Sequence, residues 1–477
     1  MNFKKGQNYL MKNGTFLRKF CIAELVVFLS VLSFNVCSQV KNDTISPAFL
    51  RVDQIKNPVA WFSWGADVRL RQELTRNQYL TKTDPPGYIC NFERMRLRQW
   101  NTFKPFQSLD INWRLVWEGR YYWKPDSKSG LDRSEILFDN LNCKLKFCKI
   151  PLTLTIGRQD IVFGDGWLVS DGTPLDGPRT TYFEAVRATF DMKSVKCICD
   201  LIYIDQTSNP DYRLPPIFSQ KKPLVEQNER GAILNFSYRM VENSQVDPYF
   251  MYKHDDVVLA NGDNGDVYVA GCRIDHNFNK KLICHADGAY QFGQRENAVM
   301  FLENESRLSA FGFNCRLTYN FCDSLQNQLW SGFSVLSGND ANSAHNHQFD
   351  PLWGRWAQYS ELFPNEFDRP GERSNVHRIN VGHQVAPNSK ILVQTNYQAI
   401  FAYANRNSGI KGFSNDGIFK GQLLTLLLKY QCTRYWSFLL LGECFIPGDY
   451  YQTPDDGTLC TRNDPAAFLR VQSCFAF

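Results

Sequence analysis

Between residues 63 and 477 the chain falls into eighteen stretches in which apolar and polar side chains take turns at a two-residue period. That period sends successive side chains to opposite faces of an extended strand. The stretches cover 63–74, 91–104, 108–123, 134–147, 151–162, 182–191, 195–206, 230–240 and 246–254, then 265–277, 281–292, 305–320, 325–337, 375–385, 389–401, 420–431, 434–446 and 465–477. In 111–121, Ile111, Trp113, Leu115, Trp117 and Tyr121 share one face; Asn112, Arg114, Glu118 and Arg120 share the other. In 311–320, Phe311, Phe313, Cys315, Leu317 and Tyr319 oppose Asn314, Arg316, Thr318 and Asn320.

A soluble β-sandwich also alternates, so the connections decide. After even-numbered stretches they are short: 105–107, 148–150, 192–194, 241–245, 278–280, 321–324, 386–388 and 432–433. After odd-numbered ones they are mostly long: 75–90, 163–181, 207–229, 338–374, 402–419 and 447–464. Tight turns at one end and large loops at the other are the layout of an outer-membrane barrel, and Greek-key crossings impose no such rule. The expected fold class is all-β: a transmembrane antiparallel β-barrel of about 18 strands, with short periplasmic turns and long outer loops. The last stretch, DPAAFLRVQSCFAF, puts Leu469, Val471, Phe475 and Phe477 on one face. An amphipathic strand closing on an aromatic resembles the sorting signal read by the barrel assembly machinery, which is thus an expected partner.

Composition agrees. Aromatic residues reach 14% while the mean hydropathy is -0.37, as alternation requires. Residues 1–38 read as a signal peptide, with Lys12, Arg18 and Lys19 before CIAELVVFLSVLSFNV and a small-residue cleavage site at Val36-Cys37-Ser38. Met11 is a second candidate start. Residues 39–62 then form an N-terminal periplasmic segment and 63–477 the barrel. The leader holds five of the 53 basic and one of the 48 acidic side chains, leaving 48 against 47. That balance argues against a nucleic-acid partner. Fifteen cysteines follow no disulfide framework. Cys143, Cys272, Cys284 and Cys315 fall on apolar faces, where a thiol acts as a small hydrophobe.

If the apolar faces meet lipid, the charged faces must line the interior, because a base on the lipid face costs about 2–4 kcal/mol near the midplane. Arg69, Arg71 and Glu73 then share the interior with Arg94, Arg96 and Arg98 of FERMRLRQW and with Arg114, Glu118 and Arg120. Arg187, Arg239, Arg273, Arg316 and Arg378 follow. A guanidinium stays charged and offers a planar fork matched to carboxylates. Two roles stay open for each arginine: raising the local concentration of anions, or bracing the wall against Glu73, Glu118, Asp275 and Asp287. In the first three strands bases outnumber acids, which favours attraction. The candidate selectivity surface is Arg94, Arg96, Arg98, Arg114 and Arg120, then Arg69, Arg71, Arg187 and Arg158. Arg158 shares its parity with Leu152, Leu154 and Ile156, a placement beyond the lipid boundary.

Signatures of other chemistry are sparse. The chain has no GxSxG, HExxH or P-loop motif, and Cys197 and Cys199 are spaced CxC within a strand. His345 and His347 with Asp350 could in principle bind a metal, but solvated loop histidines are the commoner case; GDNGD (262–266) suits a turn better than a calcium loop. No catalysis, metal or cofactor is expected. Two rivals stand, a barrel hydrolase with Ser, His and an acid at one rim, and a soluble binding protein. Loop 338–374, the longest, reads as an outer loop shielding the rim. The alternative folds Trp353, Arg355, Trp356 and Tyr359 inward as a plug.

GRQDIVFGDGWLVSDG (157–172) followed by GPRTTYFEAVRATF (177–190) resembles the signature of the alginate export family of outer-membrane porins. Arg69-x-Arg71-x-Glu73, LSGND (336–340), FDPLWGR (349–355) and GECFIPGDYY (442–451) are similar to family segments as well. Where the family usually has Phe-Asp-Gly, this chain has Phe183-Glu184-Ala185. The resemblance implies a monomeric eighteen-stranded barrel whose basic constriction passes an acidic polysaccharide such as an alginate-like polymer, received from periplasmic export partners. Import of small anions through a nutrient-uptake porin fits the residues equally.

Overall fold

The structure is a computed structural model that describes residues 47–78, 88–125, 130–170, 182–209, 214–215, 217, 227–259, 262–297, 306–339, 345–354, 359–362, 374–405, 407–409, 413–451 and 464–477. The leader lies outside the described residues. The first described element is a ten-residue helix, Pro47–Lys56, opening on proline and ending on lysine, residue types that suit those ends.

Eighteen strands follow. They are β1 (Phe62–Arg76), β2 (Ile89–Phe106), β3 (Leu109–Lys124), β4 (Gly130–Lys146), β5 (Leu152–Gln159) and β6 (Phe183–Met192). Next come β7 (Cys197–Gln206), β8 (Gln227–Tyr238), β9 (Ser244–Val257), β10 (Asp263–Asn277), β11 (Leu282–Asn297) and β12 (Ser306–Asn320). The series ends with β13 (Gln328–Leu336), β14 (Val376–Asn388), β15 (Ile391–Phe401), β16 (Phe419–Gln431), β17 (Trp436–Pro447) and β18 (Ala466–Ala476). Each pairs antiparallel with its sequence neighbours, and β1 pairs with β18 from Asp67↔Ala476 to Arg76↔Ala467. Phe477 extends the seam: its N–H and carbonyl each bond Ala66 at 3.0 Å. Closure leaves the sheet no edge, the condition for a strand protein to sit in lipid. All eighteen expected stretches are strands.

The period-2 pattern sorts the side chains. On β1, Val68 and Leu70 are 42% and 54% exposed while Arg69 and Arg71 are 2% and 4% exposed. On β12, Phe311, Phe313, Leu317 and Tyr319 face outward. Cys143, Cys272, Cys284 and Cys315 join this outer face, and no disulfide forms among the twelve described cysteines. An aromatic and aliphatic outer surface of this kind would be an aggregation hazard in water and is the normal lipid contact of a barrel.

The interior is not simply polar. A cluster of buried apolar side chains, including Ile202, Ile204, Ile233, Met251, Val267 and Val269, faces inward on β7–β10. Two long connections pack on it. Ile161, Phe163, Leu168 and Val169 come from the β5–β6 connection; Phe349, Leu352 and Trp353 come from the β13–β14 connection. The two are joined by a parallel bridge, Val169↔Trp353, and by Trp353 N–H to Leu168 O at 3.0 Å. Trp167 stacks on Phe349 with centroids 5.2 Å apart. Gly231 on β8 makes room, since a Cβ there would lie 2.5 Å from the Trp353 ring. The described part of the longest loop therefore folds inward rather than shielding the rim, because its three large apolar residues find partners only inside. Arg355 and Trp356 lie outside the described residues.

Candidate functional site

The inward faces of β18, β1, β2 and β3 carry a dense group of charges. Register sets it: Arg69 lies opposite Arg96, Arg71 opposite Arg94, and Arg94 in turn opposite Arg120. Like charges facing one another are unfavourable unless acids intervene. Three wall carboxylates do so. Asp67 binds Arg96 (3.4 Å) and Arg98 (2.6 Å); Glu118 binds Arg69 (3.4 Å) and Arg94 (2.5 Å). Glu73 binds Arg71 (3.3 Å), Arg94 (3.7 Å) and Arg470 (2.5 Å). Arg120 stands over the Phe92 ring at 5.7 Å and donates to the Tyr122 hydroxyl at 3.4 Å. Among the described residues six guanidinium groups thus share Asp67, Glu73 and Glu118, with Arg120 beside them, an excess of bases over wall acids in a region of low dielectric.

Arg470 was not singled out from the sequence. It sits on β18 opposite Glu73, and the face that excludes Leu469 and Val471 is the signal that would have found it.

Other arginines have different settings. Arg114 donates to Asp139 (2.7 Å) and to both oxygens of Asp160 (2.9 Å), and Arg187 forms a two-point pair with Asp200 (2.8 and 2.9 Å). Both line a second space of about 550 Å³ on the inner face of β2–β6. Arg158 lies near the end of β5, a short strand that pairs with β4 only over Leu141–Lys146. It donates to Phe138 O (2.6 Å), Leu214 O (3.1 Å) and Glu184 (2.5 Å), and stacks on Tyr182 at 3.8 Å. Its outward parity and these bonds tie it to the wall rather than to the interior space. Arg239 lies past the end of β8 at the short-turn rim, exposed and bonded to Gln245.

The main cavity holds about 630 Å³. Arg71, Arg316, Arg378, Lys429 and Arg470 border it, against Asp165, Glu361 and Glu443. Arg378 donates to Gln398 (3.0 Å) and Ser334 (2.9 Å) and lies 4.5 Å from the Tyr359 ring centroid. Arg316 is exposed to the cavity. Gly164, in the β5–β6 connection, has φ +55°, and a Cβ there would meet Arg273 at 2.2 Å. That residue of the GDG segment is glycine for both reasons.

The opposite wall is built differently. Lys253 is held by Glu229 (3.4 Å) and Asp255 (2.9 Å), Arg273 by Asp247 (3.2 Å) and Asp287 (3.3 Å), and Arg295 by Asp263 (2.5 Å) and Asp350 (2.6 Å). Asp350, in the inward loop, is also clamped by Gln291 through two backbone bonds of 2.6 and 2.7 Å. His347 bonds Ser309 O, and no metal-holding group, of His345, His347 and Asp350 or otherwise, is found among the described residues. Asp263 and Asp266 of GDNGD lie on opposite faces of β10. The nearest approach to a hydrolytic pair is Ser244 Oγ to His276 Nδ1 at 2.7 Å, and no carboxylate is bonded to His276 among the described residues.

Residues 60–463 match the family model of alginate export. Three solved structures from Pseudomonas aeruginosa share the architecture. OpdL is 11% identical with a TM-score of 0.52, over 88% of this chain and 99% of that one. OccK7 (OpdD) is 10% identical with a TM-score of 0.54, over 88% and 99%. OccK2 (OpdF), in complex with glucuronate, is 11% identical with a TM-score of 0.52, over 87% and 98%. At such identities the likeness speaks for the barrel fold. A comparison with curated proteins returned no match. With a closed eighteen-stranded barrel, a lipid-facing exterior and a family match along most of its length, the chain belongs to the alginate export family of Gram-negative outer-membrane β-barrel channels.

Proposed function

We propose that the barrel passes anionic solutes by passive diffusion, an acidic polysaccharide such as an alginate-like polymer foremost, and that Arg69, Arg71, Arg94, Arg96, Arg98, Arg120 and Arg470 form its selectivity surface. Arg114 and Arg187 extend it toward the short turns. The observation that carries this reading is the stoichiometry of the basic wall: each of its carboxylates serves two or three guanidinium groups. Fixed surplus charge in a narrow passage draws in counter-ions and repels cations. OccK2, a barrel of the same fold, holds glucuronate, a sugar carboxylate. A leader that exports the chain, assembly by the barrel machinery, and periplasmic partners that deliver polymer complete the proposal. No catalytic step is assigned.

A second reading has its own support. The inward loops fill the side of the barrel near β7–β10, and the remaining space suits single sugar acids as well as an extended chain. Proteoliposomes separate the cases. The protein should admit glucuronate faster than glucose, and short polyuronates should slow glucuronate entry. Faster entry of glucose would overturn the anionic reading; glucuronate entry untouched by polyuronates would favour the small-solute form.

A further inference from the structure

One guanidinium in the main cavity is shared between carboxylates of different origin. Arg470 donates through Nε and Nη2 to Glu73 (2.6 and 2.5 Å) and through Nη1 to Glu361 (2.6 Å). Glu73 is fixed in β1. Glu361 belongs to the segment 359–362 of the connection between β13 and β14, and its carboxylate is the only one binding the basic cluster from a loop among the described residues.

That segment is anchored without the Glu361 side chain. Buried Glu443 accepts from Ser360 Oγ (2.9 Å), from Glu361 N–H (2.9 Å) and from Leu362 N–H (3.1 Å), while Gln398 donates to Tyr359 O (3.1 Å). The backbone is therefore held on β17 and β15 whether or not the Glu361 carboxylate stays on Arg470.

We propose that Arg470 is a binding site for the carboxylate of a sugar acid, and that Glu361 is a tethered competitor that occupies it between solutes. The idea rests on the anionic reading above. Exchange of one carboxylate for another keeps the buried guanidinium paired throughout passage, with the displaced Glu361 carboxylate left facing the cavity that it borders. A group tethered this closely acts at an effective concentration of the order of millimolar, and weakens solute binding accordingly. A conducting pore needs such weakening, because a site that holds its solute too tightly blocks itself. Tyr359 and the Arg378 guanidinium over its ring border the same cavity.

The test measures the sodium glucuronate concentration that half-blocks chloride current through the full-length protein in planar bilayers. Glu361→Gln and Glu361→Ala should each lower it about tenfold, equivalent to about 1.4 kcal/mol. Both variants keep the backbone anchor to Glu443, and single-channel conductance verifies the folded barrel. Adding Arg470→Gln to either should abolish the gain. An unchanged half-blocking concentration in both single variants overturns the proposal, as does a gain that survives loss of Arg470. Cation preference in the unaltered protein defeats the anionic reading itself; anion preference with unaltered block in both variants defeats only the exchange.

Discussion

Two walls of one barrel use the same residue types in opposite proportions. On β18–β3 three carboxylates each serve several bases: Asp67 has two, Glu118 two and Glu73 three. On β8–β11, with its inward loop, the three buried bases Lys253, Arg273 and Arg295 are each served by two acids. The second wall also carries the buried apolar cluster and Trp353. Charges there cross-link neighbouring strands, and Arg295 with Asp350 ties the loop to them. The first wall holds more bases than its own acids can pair one to one, and that is why a function is proposed for it. Buried charge by itself says little; the ratio of partners says more.

The comparison can be broken from either side. Lys253→Met removes the base between Glu229 and Asp255 and leaves two buried carboxylates facing each other. It should cost about 3–5 kcal/mol, read as a lower denaturant midpoint for the folded barrel in detergent. Trp353→Ala empties the pocket above Gly231. It should cost about 3 kcal/mol and, if the loop loosens, raise single-channel conductance. Arg96→Met on the basic wall leaves Asp67 paired with Arg98. It should cost only about 1–2 kcal/mol while measurably reducing anion preference. A larger stability loss at Arg96 than at Lys253 would erase the distinction between the walls. Arg239→Gln, at the exposed rim, should change stability by less than about 0.5 kcal/mol and leave selectivity untouched.

The barrel was legible because lipid enforces parity. Wherever one face meets hydrocarbon, as at Val68 and Leu70 or Phe311 and Phe313, the opposite face is fixed, and loop lengths supply the direction. The inward loop was hidden by the same rule. Phe349, Leu352 and Trp353 lie outside any strand and carry no parity. A trace did exist on the sheet: Leu201, Ile202, Tyr203 and Ile204 are apolar on both faces, the mark of a strand covered on both sides. Partner choice was illegible for a different reason. Which acid meets which arginine depends on cross-strand register, so Glu73 meeting Arg470 joins residues at the two ends of the chain. Arg158 shows the limit of parity from the other direction, since its outward position is covered locally by Leu214 and Glu184.

The central claim is that unbalanced guanidinium charge on β18–β3 sets what the barrel conducts. It is tested most directly by the reversal potential of the full-length protein across a planar bilayer in a KCl gradient. Chloride should be favoured over potassium, with a preference that shrinks at high salt as the fixed charges are screened. A reversal potential of cation sign would contradict the claim.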